Sequence, residues 1–332
     1  MSRGSKIGWT EDTWNPILGC DRVSPGCDGC YAIRSAHRLA HNPNEKVKAS
    51  AAGTTHYAGD RLDWTGQVNL LSDRLAQPFR WRNPRRVFVN SQSDLFHKDV
   101  PAEYIAVVFL VMAATPRHTY QVLTKRHGRM RSLLNSERFF DMMTAAARKA
   151  YYENLLPIPG DLGYRWPLPN VHLGVSVEDQ DWADKRIPAL LDTPAAVRWV
   201  SAEPLLGPVS LDLPRCDTHD RRDLFTDTNG FQRCSACAAD GWSGELSYGH
   251  WLRQDGLISW VVVGGESGPT ARRMDLAWAR SLAVECASEG VPFYFKQLGT
   301  VLAREVGATG KGEDPAEWPE PFPQDYPVEV AA

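Results

Sequence analysis

The sequence predicts a mixed α/β fold: a partial or complete parallel (β/α) barrel of TIM-like architecture carrying a small insertion. Three observations carry that expectation. Short apolar runs recur along the chain, helical stretches separate them, and polar residues follow each run. The runs are 86–96, 118–126, 170–180, 197–208, 258–269 and 291–299, each with an apolar core of four to six residues. That length suits a strand rather than a helix. Most cores are nearly continuous rather than alternating, as parallel strands covered on both faces require.

Helices are expected over 101–115, 136–155, 181–193 and 276–290. Pro101 suits a first helical position, Ser136 an N-cap and Gly290 the residue just past a helix end. Strand alternating with helix argues for parallel βα units. Six such strands, with one more near the N-terminus, make the barrel, expected to span 1–300.

The residues after the strands predict where the chemistry lies. They are Ser91, Gln92, Ser93 and Asp94; Thr124, Lys125 and Arg126; Ser176, Glu178, Asp179 and Gln180; Ser201 and Glu203; Gly264, Gly265, Glu266 and Ser267; and Lys296 with Gln297. In a βα barrel all these ends meet on one face, where the site is built. Lys125, Glu178, Glu203 and Lys296 can move protons and are the catalytic candidates.

Composition sets outer limits. The 332 residues are 43% hydrophobic and 23% charged, within the range of soluble globular chains. A net charge of −3 leaves no global basic field, so a nucleic acid would need local patches. No apolar stretch has the length of a membrane span, and the first residues lack an apolar signal core. A cytoplasmic location is expected. Residues 41–80 read as a polar excursion, 212–257 as an insertion between two barrel strands, and 301–332 as a loosely packed extension rich in Pro, Glu and Gly.

Six of the seven cysteines fall into two tight groups, which in a reducing compartment points to metal rather than disulfides. Cys286 stands apart in a helical pattern and reads as a small buried hydrophobe. The first group, Cys20, Cys27 and Cys30, has C-x6-C-x2-C spacing in a Gly- and Pro-rich loop. Three thiolates can hold three irons of a [4Fe–4S] cluster and leave the fourth open to a small molecule. The bland alternative is a structural zinc site completed by a distant residue such as His37 or His97; the spacing favours the open cluster.

The stretch WNPILGC…VSPGCDGCYA, together with VNSQSDLFH, QVLTKR, LGVSVEDQ, SAEPLLGP, VVGGESGP and FYFKQLG, resembles a phage- and prophage-associated radical-SAM-like family of unknown function. The likeness covers most of residues 6–299 in the same order. It implies a barrel of the radical SAM type, a cluster on Cys20, Cys27 and Cys30, and S-adenosylmethionine on the fourth iron. Reductive cleavage of that cofactor, fed by an electron donor, would give a 5′-deoxyadenosyl radical that takes hydrogen from a substrate. The first cysteine gap is three residues longer than in the commonest radical SAM pattern, and Tyr31 follows Cys30 rather than an aromatic preceding it. By barrel position, Ser91, Ser93 and Asp94 would lie near the cofactor's amino group, Ser176 and Glu178 near the ribose, and Gly264, Gly265 and Glu266 near the adenine.

The second group is Cys216-x2-His219 followed by Cys234-x2-Cys237, the spacing of a structural zinc site, with His250 as a substitute for His219. Arginines around it, and the basic runs 80–86 and 124–131, would suit phosphate contacts. The phage association of the family that the chain resembles implies a nucleic acid or nucleotide as substrate. Two rival readings are a non-catalytic zinc-stabilised nucleic-acid-binding protein and a lyase that repairs DNA lesions.

Overall fold

A computed structural model describes residues 4–5, 7–158, 163–216, 224–226, 232–234, 246–250 and 258–327, with side chains described outside 212–257. The expected strands form where the β-branched and aromatic cores lie. They are β1 (Asp12–Trp14), β2 (Arg86–Val89), β3 (Thr119–Thr124), β4 (Val171–Ser176), β5 (Val197–Ala202), β6 (Trp260–Gly264) and β7 (Phe293–Gln297). They pair in chain order, and every pairing is parallel. Because the order never reverses, every crossover runs the same way, and right-handed connections then place the helices on one face. The sheet curls into a half-barrel whose edges are β1 and β7.

Helices fill the crossovers and one follows the last strand: α1 (Tyr31–Ala40), α2 (Glu45–Ala51), α3 (Ala102–Ala113), α4 (His127–Leu134), α5 (Glu137–Tyr152), α6 (Gln180–Leu191) and α7 (Leu276–Ser288) lie between strands, and α8 (Thr300–Val306) follows β7. Pro101 stands just before the first residue of α3 rather than at it, Ser136 takes the N-cap position of α5 without a side-chain bond, and Gly290 takes the left-handed φ of 65° that ends α7. Between β5 and β6, antiparallel ladders join 212–216 to 246–250 and 224–226 to 232–234. The zinc set Cys216, His219, Cys234 and Cys237, and its substitute His250, lie outside the described side chains.

Side-chain parity divides the sheet into two faces. Val87, Val122, Leu173, Val200, Val263 and Phe295 face the helices and belong to the main core. The opposite face lines the inside of the curl. Its floor is aromatic: Trp9 meets Phe88 at 4.8 Å and Trp199 at 5.2 Å, and Trp199 meets Trp260 at 5.1 Å. Gly174 makes this packing feasible, because a Cβ there would lie 2.5 Å from the Trp199 ring. Above the floor the inner face turns polar.

Part of the segment 301–332, expected as a loosely packed extension, meets β7. Phe322 stacks on Phe295 at 4.3 Å and Trp318 meets the same ring edge-on at 4.8 Å. The backbone is held too: Phe295 N–H donates to Pro323 O and Asp325 N–H to Phe293 O, both at 2.9 Å. Composition does not announce such bonds, because backbone groups that any sequence carries make them to an edge strand.

Candidate functional site

All seven strands point their C-terminal ends to one side, so the residues that follow them converge. A cavity there is lined by Cys20, Cys27, Cys30, Ser91, Ser93, Asp94, Lys125, Arg126, Ser176, Ser201, Glu203, Gly265, Glu266, Lys296 and Gln297. Among the expected site residues, Glu178 and Gly264 do not line it.

The cysteine loop lies across this mouth, and local chemistry explains why. Gly19 has φ of 102°, and a Cβ there would come 2.2 Å from the Gln67 carbonyl, so glycine alone lets the chain turn into Cys20. Ser24 then opens a short 3-10 turn over Pro25–Cys27, and Cys30 caps α1. Two buried carboxylates seat the loop. A Cβ on Gly26 would meet Glu178 at 2.4 Å, and one on Gly29 would meet Glu266 at 2.3 Å. Both glycines of SPGCDGC are therefore needed for close approach.

Cys20, Cys27 and Cys30 are free thiols. Burial pushes Cys20 up to about 12, against the pull of the Arg126 guanidinium, whose Nη1 lies 3.5 Å from its sulfur. Burial also raises Cys30, opposed by the amides of Ala32 and Ile33 at the start of α1. Thiols in this state must release protons to ligate a metal. Among the described residues, no group of three His, Cys, Asp or Glu side chains is placed to hold a single metal ion. The donor set itself fits an iron–sulfur cluster: three thiols on one loop, facing one cavity, with cationic Arg126 beside them.

Several expected cofactor contacts are occupied by the fold. Asp94 accepts from Thr124 Oγ1 at 2.7 Å, Phe96 N–H at 2.9 Å and Lys125 N–H at 3.0 Å, and pairs with Arg126 at 3.0 Å. Ser91 Oγ donates to Asn15 Oδ1 at 3.2 Å and Ser93 Oγ to Ile17 O at 3.0 Å, pinning the start of the cysteine loop. Glu178, fully buried, takes Arg186 at 2.9 Å, Lys125 at 3.1 Å and the Ser24 hydroxyl at 2.7 Å. Glu266 holds Arg272 through both oxygens at 2.7 and 2.9 Å, and Arg272 also donates to Pro25 O at 2.8 Å. Gly264 gives space to Glu203, and Gly265 lies against Leu298 O, 2.1 Å from where a Cβ would sit.

Other groups stay turned to the cavity. Lys296 pairs with Glu203 at 2.7 Å, and the same carboxylate accepts from Trp9 Nε1 at 3.2 Å and Ser201 Oγ at 3.3 Å. Ser176 lines the wall beside them. His97 is fully buried next to Asp21, and His37 lies away from the cavity against Thr55.

Sequence reasoning passed over Asn90, and it placed Arg126 at a strand end and in a basic run without linking it to Cys20. Asn90 follows β2 with φ of 63°, is 3% exposed, and leaves both amide atoms without a partner while lining the cavity. Strain and an unsatisfied buried amide each cost on the order of 1–3 kcal/mol and gather at functional sites. Only long-range packing reveals this, though a lone Asn directly after an apolar strand was a visible cue.

Fold and site together define a class: β/α half-barrel proteins with a thiol-bearing loop over the carboxyl ends of the strands. Within it, the chain belongs to the family described as Protein of unknown function (DUF5131), whose model matches residues 4–322. No curated protein matches the chain, and no solved structure does.

Proposed function

We propose that this protein is a radical SAM-type enzyme holding a [4Fe–4S] cluster on Cys20, Cys27 and Cys30. The observation that supports the reading is the seating of three free thiols over the polar mouth of a parallel half-barrel. A cluster held by Cys20, Cys27 and Cys30, with S-adenosylmethionine and an electron from a donor protein, would supply reductive cleavage of the cofactor and hydrogen abstraction from a substrate. This chain's residues do the rest. Arg126 offsets thiolate charge at Cys20, and Glu178 and Glu266, through Ser24 and Arg272, hold the loop over the cavity. The aromatic floor closes the inside of the curl from below. Lys296 and Glu203 present an ion pair to the bound molecules, and Asn90 offers them a donor and an acceptor.

Anaerobic reconstitution tests this. The protein should take up about four irons per chain and form 5′-deoxyadenosine from S-adenosylmethionine under a strong reductant. Cys20→Ala, Cys27→Ala and Cys30→Ala should each abolish both readouts. A colourless protein that binds zinc at these thiols and no iron would overturn the reading. We also propose zinc on Cys216, His219, Cys234 and Cys237, from their spacing. Cys234→Ala should then lower zinc content and leave iron intact.

A further inference from the structure

Beside the cavity mouth runs an open groove of about 1360 Å³, sharing Gly29, Cys30, Tyr31, Glu266 and Ser267 with the cavity. Its size exceeds the roughly 300–1,000 Å³ of small-molecule sites, which favours an extended occupant. Its charge departs from that of the chain. Five arginines, Arg22, Arg34, Arg38, Arg61 and Arg272, and no lysine line it against three carboxylates. The whole chain instead has 37 Lys and Arg against 40 Asp and Glu.

Three of these arginines are already engaged: Arg22 with Asp63 at 2.8 Å, Arg61 with Asp28 at 3.5 Å and Arg272 with Glu266 at 2.7 Å. Arg34 and Arg38 are exposed, and their side chains make no ion pair or hydrogen bond with the described residues. They stand one turn apart on α1, the helix that Cys30 begins, about 6 Å along its axis. Two free guanidinium forks on one helix face suit successive phosphates better than a single carboxylate.

Aromatic side chains stand along the same groove. Tyr31 is 51% exposed and Tyr57 63% exposed, with His37 edge-on to the Tyr57 ring at 5.5 Å. Exposed rings beside arginines are the stacking platforms on which unpaired bases sit.

We propose that this groove binds single-stranded nucleic acid, its phosphates on Arg34 and Arg38 and a base on Tyr57, so that a neighbouring nucleotide enters the cysteine-lined cavity. The proposal deepens the radical-enzyme reading and rests on it for what happens in the cavity, but the binding itself does not need the cluster.

The test uses full-length protein without cluster reconstitution, titrated into fluorescein-labelled mixed-sequence single-stranded DNA and RNA about 12 nucleotides long, at several salt concentrations. Arg34→Glu with Arg38→Glu should weaken binding at least about tenfold and flatten the slope of log affinity against log salt by about 1.4, two contacts' worth. Tyr57→Ala should weaken it about fivefold or more with the salt slope unchanged. Circular dichroism confirms that each variant is folded. The milder Arg34→Gln with Arg38→Gln should fall between parent and charge reversal.

Parent-like affinity and salt slope in the charge-reversed variant overturns the proposal. So does equal competition by duplex DNA or by polyglutamate, since neither presents unpaired bases. Iron content and 5′-deoxyadenosine formation are measured separately. Their failure with arginine-dependent binding intact overturns the radical reading alone, and their success with arginine-independent binding overturns the groove alone.

Discussion

His172 shows what a single residue of the inner face commits to. It is 4% exposed on β4, beside Gln121 across the ladder, and its Nδ1 has no partner. Burial alone pushes its pKa from 6.5 down to about 4. The folded state thus refuses a proton that the unfolded chain accepts below 6.5. Its contribution to stability is complete above pH 6.5 and is lost as pH falls toward about 4. Burial lowers His118 and His127 in the same direction. Urea midpoints should therefore drop between about pH 7 and pH 4.5, and His172→Leu should make that drop shallower. An identical pH dependence in the variant would remove His172 from the account. At this scale the grouping of Cys20, Cys27 and Cys30 around one cavity was legible because their spacing is local. Asn90, Arg186 and Arg272 were not, because only the fold buries Asn90 at the cavity with its amide unpaired and brings the two arginines onto buried carboxylates. Ser91, Ser93 and Asp94 were rightly seen at a strand end, yet the bonds that occupy them come from residues 15–17 and 124–126.

Elements here are joined by charges at their ends. Arg186 on α6 is fully buried, donates to Ser176 O at 2.7 Å, pairs with Glu178 just past β4, and lies over the Trp182 ring at 4.1 Å. Glu178's other oxygen reaches Lys125 after β3 and Ser24 in the cysteine loop. One carboxylate therefore joins two strands, a helix and the loop. Removing one partner of a buried pair leaves the other charge uncompensated at a cost of about 3–5 kcal/mol. Glu178→Ala should destabilise by that amount in urea titrations, and adding Arg186→Met should recover much of it. A double variant no more stable than Glu178→Ala would show that the pair is not what holds these elements. Glu178→Ala should also weaken iron retention, since Ser24 loses its acceptor. The strands themselves were the most legible part of the sequence, because apolar runs of that length have few other uses. The loop's dependence on Glu178 was hidden, since nothing near residue 24 announces a partner 154 positions away.

A half-barrel leaves two sheet edges open, and open edges invite pairing with another chain. In this molecule the C-terminal segment answers one of them. Tyr294 on β7 forms an antiparallel bridge with Gln324, and Gln324 Nε2 donates to Phe295 O at 3.1 Å. The same segment then crosses toward the other edge. Trp260 Nε1 donates to Asp325 O at 2.9 Å, the Tyr326 hydroxyl to Gly8 O at 3.1 Å, and the Arg86 guanidinium lies 4.0 Å over the Tyr326 ring. Residues 323–326 thus tie β7 to the segment leading into β1 and to β2 beneath the aromatic floor. A chain ending at residue 314 loses this tie and the Trp318 and Phe322 rings that cover Phe295. Losing a buried tryptophan contact alone costs about 3–5 kcal/mol, so Tm should fall on the order of 5–10 °C. The uncovered edge should also make the truncated protein self-associate with concentration, read by light scattering. A monomer with parent Tm would mean that the half-barrel protects its edge without the tail. The radical-enzyme reading makes a linked demand at this scale, because residues 325–326 bond to Phe293 and Gly8 at the start of the strands, whereas the cysteine loop lies over their C-terminal ends. Truncation should lower stability while iron loading per folded chain stays at the parent value. Loss of both together would mean that the floor and the mouth of the half-barrel are one cooperative unit.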